Sequence, residues 1–193
     1  MVKVMLVDGN AERSNSLKDK LGDSHSTEVV CVDSSKDLMG QVRQHAPDVI
    51  IIEMASPDRD TLESLRTVNR ETPKPVVFFA EHSDYDTTQA AINAGVSAYI
   101  VDGVSSSHLS SVMEVAIANF KAFQRIKTEL EDTKTLLQDR KDVDKAKGIL
   151  MQHRNLSEDE AYQLLRKMAM DRNMKIGDAA RNFVAAMSLL GDT

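Results

Sequence analysis

The chain has 193 residues, a formal net charge of −6 and 41% hydrophobic residues, which is enough for one or two domains with real cores. No run approaches the roughly 20 apolar residues of a membrane-crossing helix, and no signal-peptide cleavage region precedes the first strand-like pattern. Cys31 is the only cysteine, which excludes an internal disulfide and a multi-cysteine metal site. We therefore expect a cytoplasmic protein.

Short apolar runs alternate with helical patterns in the first 118 residues. The runs predict strands at Lys3–Val7, Glu28–Val32, Val49–Ile52, Val76–Phe79 and Ala98–Val101. Helices are predicted near Glu12–Leu21, Lys36–His45, Arg59–Glu71, Thr87–Ala94 and Ser107–Phe123. Near-continuous apolar strands alternating with helices indicate a parallel sheet covered on both faces. The prediction is an α/β domain of five βα units with the flavodoxin-like fold, whose ligands bind beyond the carboxyl ends of the strands.

The segments around the predicted strand ends resemble the signature regions of response-regulator receiver domains. They read VMLVDGN, DVIIIEMASPDRDTLESL, PVVFFAEHSD and AGVSAYIVDG. In that family, two acids after the first strand hold Mg²⁺ and an aspartate after the third strand accepts phosphate. A Thr or Ser after the fourth strand senses the phosphate, and a Lys after the fifth pairs with it. The resemblance implies a phosphorylation pocket at this end of the sheet.

The residues at these positions depart from the family pattern. Asp8 retains one acid, but Gly9 takes the place of its partner, and Glu53 stands at the phosphate-accepting position. Ala80 replaces the hydroxyl residue and Asp102 replaces the lysine. Carboxylates without a cation would repel a phosphoryl group, so we predict a pseudo-receiver. Glu53 has three interpretations: an ordinary acid at a strand end, a fixed charge that imitates phosphorylation, or an introduced substitution for aspartate.

A helical pattern continues beyond the predicted receiver, with no Gly or Pro between residues 104 and 147. Apolar positions alternate three- and four-residue steps, which is the a/d spacing of a coiled coil. The predicted dimer contacts are Phe123, Ile126, Leu130 and Leu137. We predict a linker helix over residues 119–138 that pairs two chains in parallel. The alternative is a single helix packed back against the receiver.

Three short amphipathic helices are predicted in residues 139–193. The first covers about Asp139–His153, with an inward stripe of Val143, Ala146 and Leu150. The second begins at Ser157, which forms a capping box with Glu160. The third runs from about Ile176 to Leu190. Without further information, this three-helix bundle with basic faces could bind RNA, DNA or protein.

Gly148 lies on the face of the first bundle helix opposite the inward stripe. A glycine costs a helix roughly 1 kcal/mol relative to alanine. Either another backbone or a nucleotide approaches closely at this point, or the glycine is simply tolerated on the surface.

The segments AKGILMQ, SEDEAYQLLRKMAM and KIGDAA resemble the ANTAR domain, an RNA-binding module of transcription antitermination regulators. With the receiver and the coiled coil, the chain is similar to AmiR/NasT-type antiterminators. SPDRDTLE and GVSAYIVDG are most similar to the nitrate and nitrite assimilation type, that of NasT. The resemblance implies a dimer that binds paired hairpins in leader-transcript RNA. It also implies a cytoplasmic, solute-binding-protein-like (NasS-like) sensor that holds the antiterminator inactive.

By this resemblance, RNA contacts fall on the first bundle helix and its neighbours. The expected residues are Lys141, Lys145, Lys147, Gln152, Arg154, Arg166 and Lys175. Lysines and arginines would engage phosphates, and Gln152 would reach a base edge in an opened loop.

Two other functions stay open: a phosphorylation-independent response regulator that binds DNA, and a protein-interaction switch without nucleic-acid binding. No predicted helix concentrates the base-reading Arg, Asn and Gln of a recognition helix, which disfavours DNA. The sequence contains no GxGxxG or Walker motif, and its five histidines lack metal-ligand spacing. We therefore expect neither an enzyme nor a cofactor or metal.

Overall fold

The computed structural model describes residues 2–9, 27–33, 37–101 and 106–190. The chain divides into two compact units, Met1–Gln124 and Arg125–Thr193. The helix predicted near Glu12–Leu21 and the pocket residue Asp102 lie outside the described residues. Within the described ranges, none of the helices combines the length and the apolar character that a membrane crossing requires.

The first unit contains a five-stranded parallel sheet. Its strands are β1 (Val2–Asp8), β2 (Thr27–Asp33), β3 (Val49–Met54), β4 (Val76–Ala80) and β5 (Ala98–Val101), in the spatial order β2-β1-β3-β4-β5. The helices between the later strands are α1 (Leu38–His45), α2 (Arg59–Glu71) and α3 (Tyr85–Asn93). This strand order is that of the flavodoxin-like fold, so the predicted fold class of the first domain is confirmed.

Alternate residues of the strands point into two cores, one on each face of the sheet. Ile50 and Phe78 belong to one core, together with residues of α1, α2 and α3. Ile51 and Phe79 belong to the other, together with Met113 of the helix that follows β5. Successive side chains of a strand point to opposite faces, and both faces are covered. The strands are therefore apolar almost throughout, as the sequence predicted.

The helix after β5, α4, spans Ser106–Arg154 and has 49 residues. The predicted receiver helix, linker helix and first bundle helix are thus parts of one helix. It ends before Asn155, which has a left-handed φ of 52°. Asparagine adopts this conformation more readily than most residues. A second asparagine with a left-handed conformation, Asn173 with a φ of 51°, precedes the last helix.

The last two helices are α5 (Glu158–Asp171) and α6 (Ile176–Leu190). They share a small core with the end of α4, formed by Ala146, Leu150, Ala161, Leu165 and Ala180. Alanines at these positions allow the helices to approach closely. Val143 packs against the same cluster, so the predicted inward stripe of the first bundle helix is confirmed.

Candidate functional site

The carboxyl ends of β1, β3 and β4 bring three predicted pocket residues to one edge of the sheet. Asp8 lies beside Glu53 in the strand register, and Ala80 lies beside Met54. Asp8 has only 5% of its surface exposed, whereas Glu53 is half-buried. Gly9 follows Asp8 and is exposed. The edge therefore has the position of a receiver pocket.

The described residues at this edge differ from the receiver signature that the sequence resembles. Ala80 is buried and presents a methyl group instead of a hydroxyl. The register also places Asp33, which the sequence reasoning missed, beside Asp8. Because Gly9 supplies no carboxylate, the Mg²⁺ ligands of the receiver family are incomplete. Among the described residues, which do not include Asp102, no three His, Cys, Asp or Glu side chains form a group that could hold a metal ion.

The capping box predicted at the start of α5 is present. The Glu160 backbone N–H donates to the Ser157 hydroxyl, and the Ser157 backbone N–H donates to the Glu160 carboxylate at 2.8 Å. The Ser157 hydroxyl also donates to this carboxylate at 2.8 Å, and the backbone N–H and the hydroxyl of Ser157 together hold the pKa of Glu160 below its usual value. The cap fixes the point at which α5 begins, and therefore where Glu158 lies relative to α4.

Lys147, one of the predicted RNA contacts, links α4 to α5. Its Nζ lies 2.8 Å from the carboxylate of Asp144 and 2.7 Å from that of Glu158. Only 16% of the Lys147 side chain is exposed. The hydrogen bonds to Asp144 and then to Glu158 raise the pKa of Lys147, and the pKa of Asp144 is lowered in turn. This cation is thus already neutralised within the protein.

Arg181 links α6 to α4. Its guanidinium contacts Asp139 at 2.8 Å, Asp142 at 3.1 Å and Asp178 at 2.9 Å. The hydrogen bond to Asp142 makes the largest contribution to raising the pKa of Arg181. Gly177 is buried and lies close to Asp139. A Cβ atom at position 177 would collide with the Asp139 side chain. The close contact of α6 with α4 therefore requires this glycine.

The other predicted RNA contacts are exposed. They are Lys141, Lys145, Gln152, Arg154, Arg166 and Lys175, and they form no ion pair or side-chain hydrogen bond with any described residue. Lys167 and Arg172 have the same character and were not among the predicted contacts. Lys167 directly follows Arg166, and Arg172 lies in the turn before α6. These positions in the sequence could have identified both residues as candidates. These residues supply positive charge that the rest of the described chain does not neutralise.

The predicted dimer contacts form an exposed apolar stripe on α4, which we call the seam. Phe123 is 60% exposed, Ile126 64%, Leu130 52% and Leu137 56%. Leu136 is also 69% exposed but lies off this stripe. Four large apolar side chains at coiled-coil spacing, each more than half exposed, are typical of a helix that pairs with another.

Comparisons with known proteins agree with both parts of the chain. The response regulator receiver domain family matches residues 4–114, and the ANTAR domain family matches residues 131–184. A receiver domain from Clostridium thermocellum has 24% identity and a TM-score of 0.54, covering 64% of this chain and 99% of that structure. That likeness supports the fold alone.

Two similar relatives are regulators by name. The transcriptional regulatory protein PdtaR of Mycobacterium tuberculosis is 28% identical over 149 residues, covering 77% of this chain and 73% of that protein. The nitrate regulatory protein of Klebsiella oxytoca is 38% identical over 66 residues, covering 34% of this chain and 17% of that protein. The chain therefore belongs to the response regulators, with a receiver domain at residues 4–114 followed by an ANTAR domain at residues 131–184.

Proposed function

We propose that this protein is a transcription antitermination regulator whose ANTAR domain binds hairpin RNA in leader transcripts. The observation that carries this proposal is the division of cations in the helical unit. Lys147 and Arg181 form ion pairs with acids of the same helical unit. The predicted contacts Lys141, Lys145, Arg154, Arg166 and Lys175 are instead exposed and pair with no described residue. Neutralisation of phosphate by such side chains supplies much of the affinity for a nucleic acid.

Two chains act together on two hairpins. Residues 139–193 carry ten basic and nine acidic side chains, a formal net charge of only +1, so a single unit has modest electrostatic attraction for RNA. Pairing through the seam would connect two such units. Once one unit has bound the first hairpin, the second hairpin of the same RNA lies at a high effective concentration near the other unit. The overall affinity therefore rises without any new type of contact.

RNA is favoured over DNA by the distribution of these cations. They are spread over α4, α5 and the turn before α6 rather than concentrated on one helix that could enter a major groove. The experiment offers the wild-type protein a pool of two-hairpin RNAs with randomised loops and a pool of duplex DNAs of equal length, and then compares the products enriched from each pool in a gel shift. We expect a shift with the RNA alone at the same salt concentration. Equal DNA binding would support a DNA-binding regulator, and no binding to either would support a protein-interaction switch.

Control comes from a partner protein in the cytoplasm rather than from phosphate. The carboxylates at the sheet edge and the methyl group of Ala80 disfavour phosphorylation, so the receiver serves as a docking domain. The partner is a sensor that resembles solute-binding proteins and releases the antiterminator when its ligand binds. The likeness to the nitrate regulatory protein of Klebsiella oxytoca supports nitrate or nitrite as that ligand.

Acetyl phosphate with Mg²⁺ is expected to leave the intact mass of the protein unchanged, because the edge lacks the second acid at Gly9 and the hydroxyl at Ala80. Beryllofluoride is likewise expected not to bind. Glu53→Asp provides the matched control, since it restores the acceptor without its partners and should also stay unmodified. A mass increase of one phosphoryl group in the wild type, or Mg²⁺-dependent beryllofluoride binding, would refute this part of the proposal.

A further inference from the structure

Gly148 occupies an open position on α4. A Cβ atom built there meets no atom within 4 Å, so an alanine would fit without any movement of the protein. Alanine also favours a helix more than glycine does. Nothing in the fold of the described chain requires a glycine here, in contrast to Gly177, where a side chain would collide with Asp139.

The surroundings of Gly148 are cationic and polar. Lys141, Lys145 and Gln152 lie seven residues before, three before and four after it, and this spacing places them on the same face of the helix. All three are exposed and form no ion pair with any described residue. Asp144 is the acid nearest on this face, and Lys147 holds its carboxylate at 2.8 Å. This face of α4 therefore carries two unpaired lysines and one ion-paired carboxylate, which is an excess of positive charge.

A second copy of the chain is the less suitable occupant of this face. Gly148 lies about three helical turns beyond Leu137 of the seam, on nearly the same side of α4. A symmetric contact there would bring Lys141 and Lys145 of both chains together. Like charges in contact oppose such an association. A polyanion between the two chains would instead be attracted by all four lysines.

We infer that Gly148 is a contact point for the sugar–phosphate backbone of the RNA, with Lys141 and Lys145 binding the adjacent phosphates. This inference rests on the proposed function and specifies where on the ANTAR domain the RNA backbone runs. A helix without a Cβ atom at this position lets the ribose lie directly against the main chain. That approach brings the phosphates within reach of both lysines.

Substitutions of increasing size at Gly148 test the inference in the full-length protein. Alanine and leucine both favour a helix over glycine, so Gly148→Ala and Gly148→Leu should slow amide hydrogen exchange in α5 and α6 by about fivefold. The same substitutions should weaken binding to the selected two-hairpin RNA, by about tenfold for alanine and more for leucine. Ala186→Leu adds similar bulk at an exposed position of α6 and should leave RNA affinity unchanged.

The outcomes distinguish the possible occupants. Slower exchange together with weaker RNA binding, at an unchanged dimer dissociation constant, supports the contact. Unchanged RNA affinity in both Gly148 variants would show a tolerated surface glycine and overturn it. A dimer weakened in proportion to the size of the side chain would assign the position to the second chain and also overturn it. Failure of the proposed function would differ from these results, because the wild-type protein itself would bind no RNA.

Discussion

Replacing Ile126 and Leu130 together by aspartate is expected to convert the protein to a monomer and to weaken two-hairpin RNA binding about a hundredfold. Both side chains are more than half exposed on the seam, where they would pack against a second chain. Charged residues at core positions of a coiled coil oppose pairing. The loss of RNA affinity follows because each hairpin must then bind a separate molecule. Sedimentation velocity at micromolar concentration and gel shift measure the two effects.

Leu136→Asp is the matched control for the seam. Leu136 is an exposed leucine of the same helix, 69% accessible, but it lies off the apolar stripe. This variant should remain a dimer with nearly unchanged RNA affinity. A wild-type protein that sediments as a monomer at micromolar concentration would refute the dimer, as would a dimer that survives the double aspartate substitution.

Replacing Lys141 and Lys145 by methionine is expected to weaken RNA binding and to reduce its dependence on salt. Each phosphate contact that is lost removes about 0.7 to 0.9 from the slope of log K against log salt. The double variant should therefore have a slope about 1.4 to 1.8 smaller in magnitude. Its fold should be unaffected, since neither lysine pairs with a described residue. Titrations at several salt concentrations measure the slope.

Lys147→Met provides the contrast on the same helix. Lys147 is bound to Asp144 and Glu158, so its loss should lower the stability of the helical unit and leave the salt slope of RNA binding nearly unchanged. Lys147 would then be removed from the predicted RNA contacts, and Lys141 and Lys145 would remain. A slope reduced as much by Lys147→Met as by Lys145→Met would show that RNA displaces the two carboxylates.

Features that depend on near neighbours in the chain were predictable from the sequence. Ser157 and Glu160 form the expected capping box, and α6 has the predicted limits Ile176 and Leu190. The absence of Gly and Pro from residues 104–147 favoured one continuous helix, and α4 is continuous. In each case, the residues that determine the structure lie within a few turns of each other.

Contacts between distant segments were not predictable in the same way. Asp33 lies beside Asp8 only because β1 and β2 pair in a particular register. Arg181 meets Asp139 across 42 residues of sequence, so its role as a link between α6 and α4 depends on how the bundle packs. Lys147 has the acid Asp144 three residues before it, but its second partner, Glu158, belongs to another helix. Sequence spacing alone therefore did not separate Lys147 from the exposed cations, and all of them were predicted as RNA contacts.

The most direct test of antitermination is transcription in vitro through a terminator preceded by the selected two-hairpin RNA element. We expect the wild-type protein to increase readthrough without any phosphoryl donor, and the Ile126→Asp, Leu130→Asp double variant to have little effect. Readthrough that stays at the level of polymerase alone, under conditions where the wild-type protein binds the RNA, would contradict the proposed function.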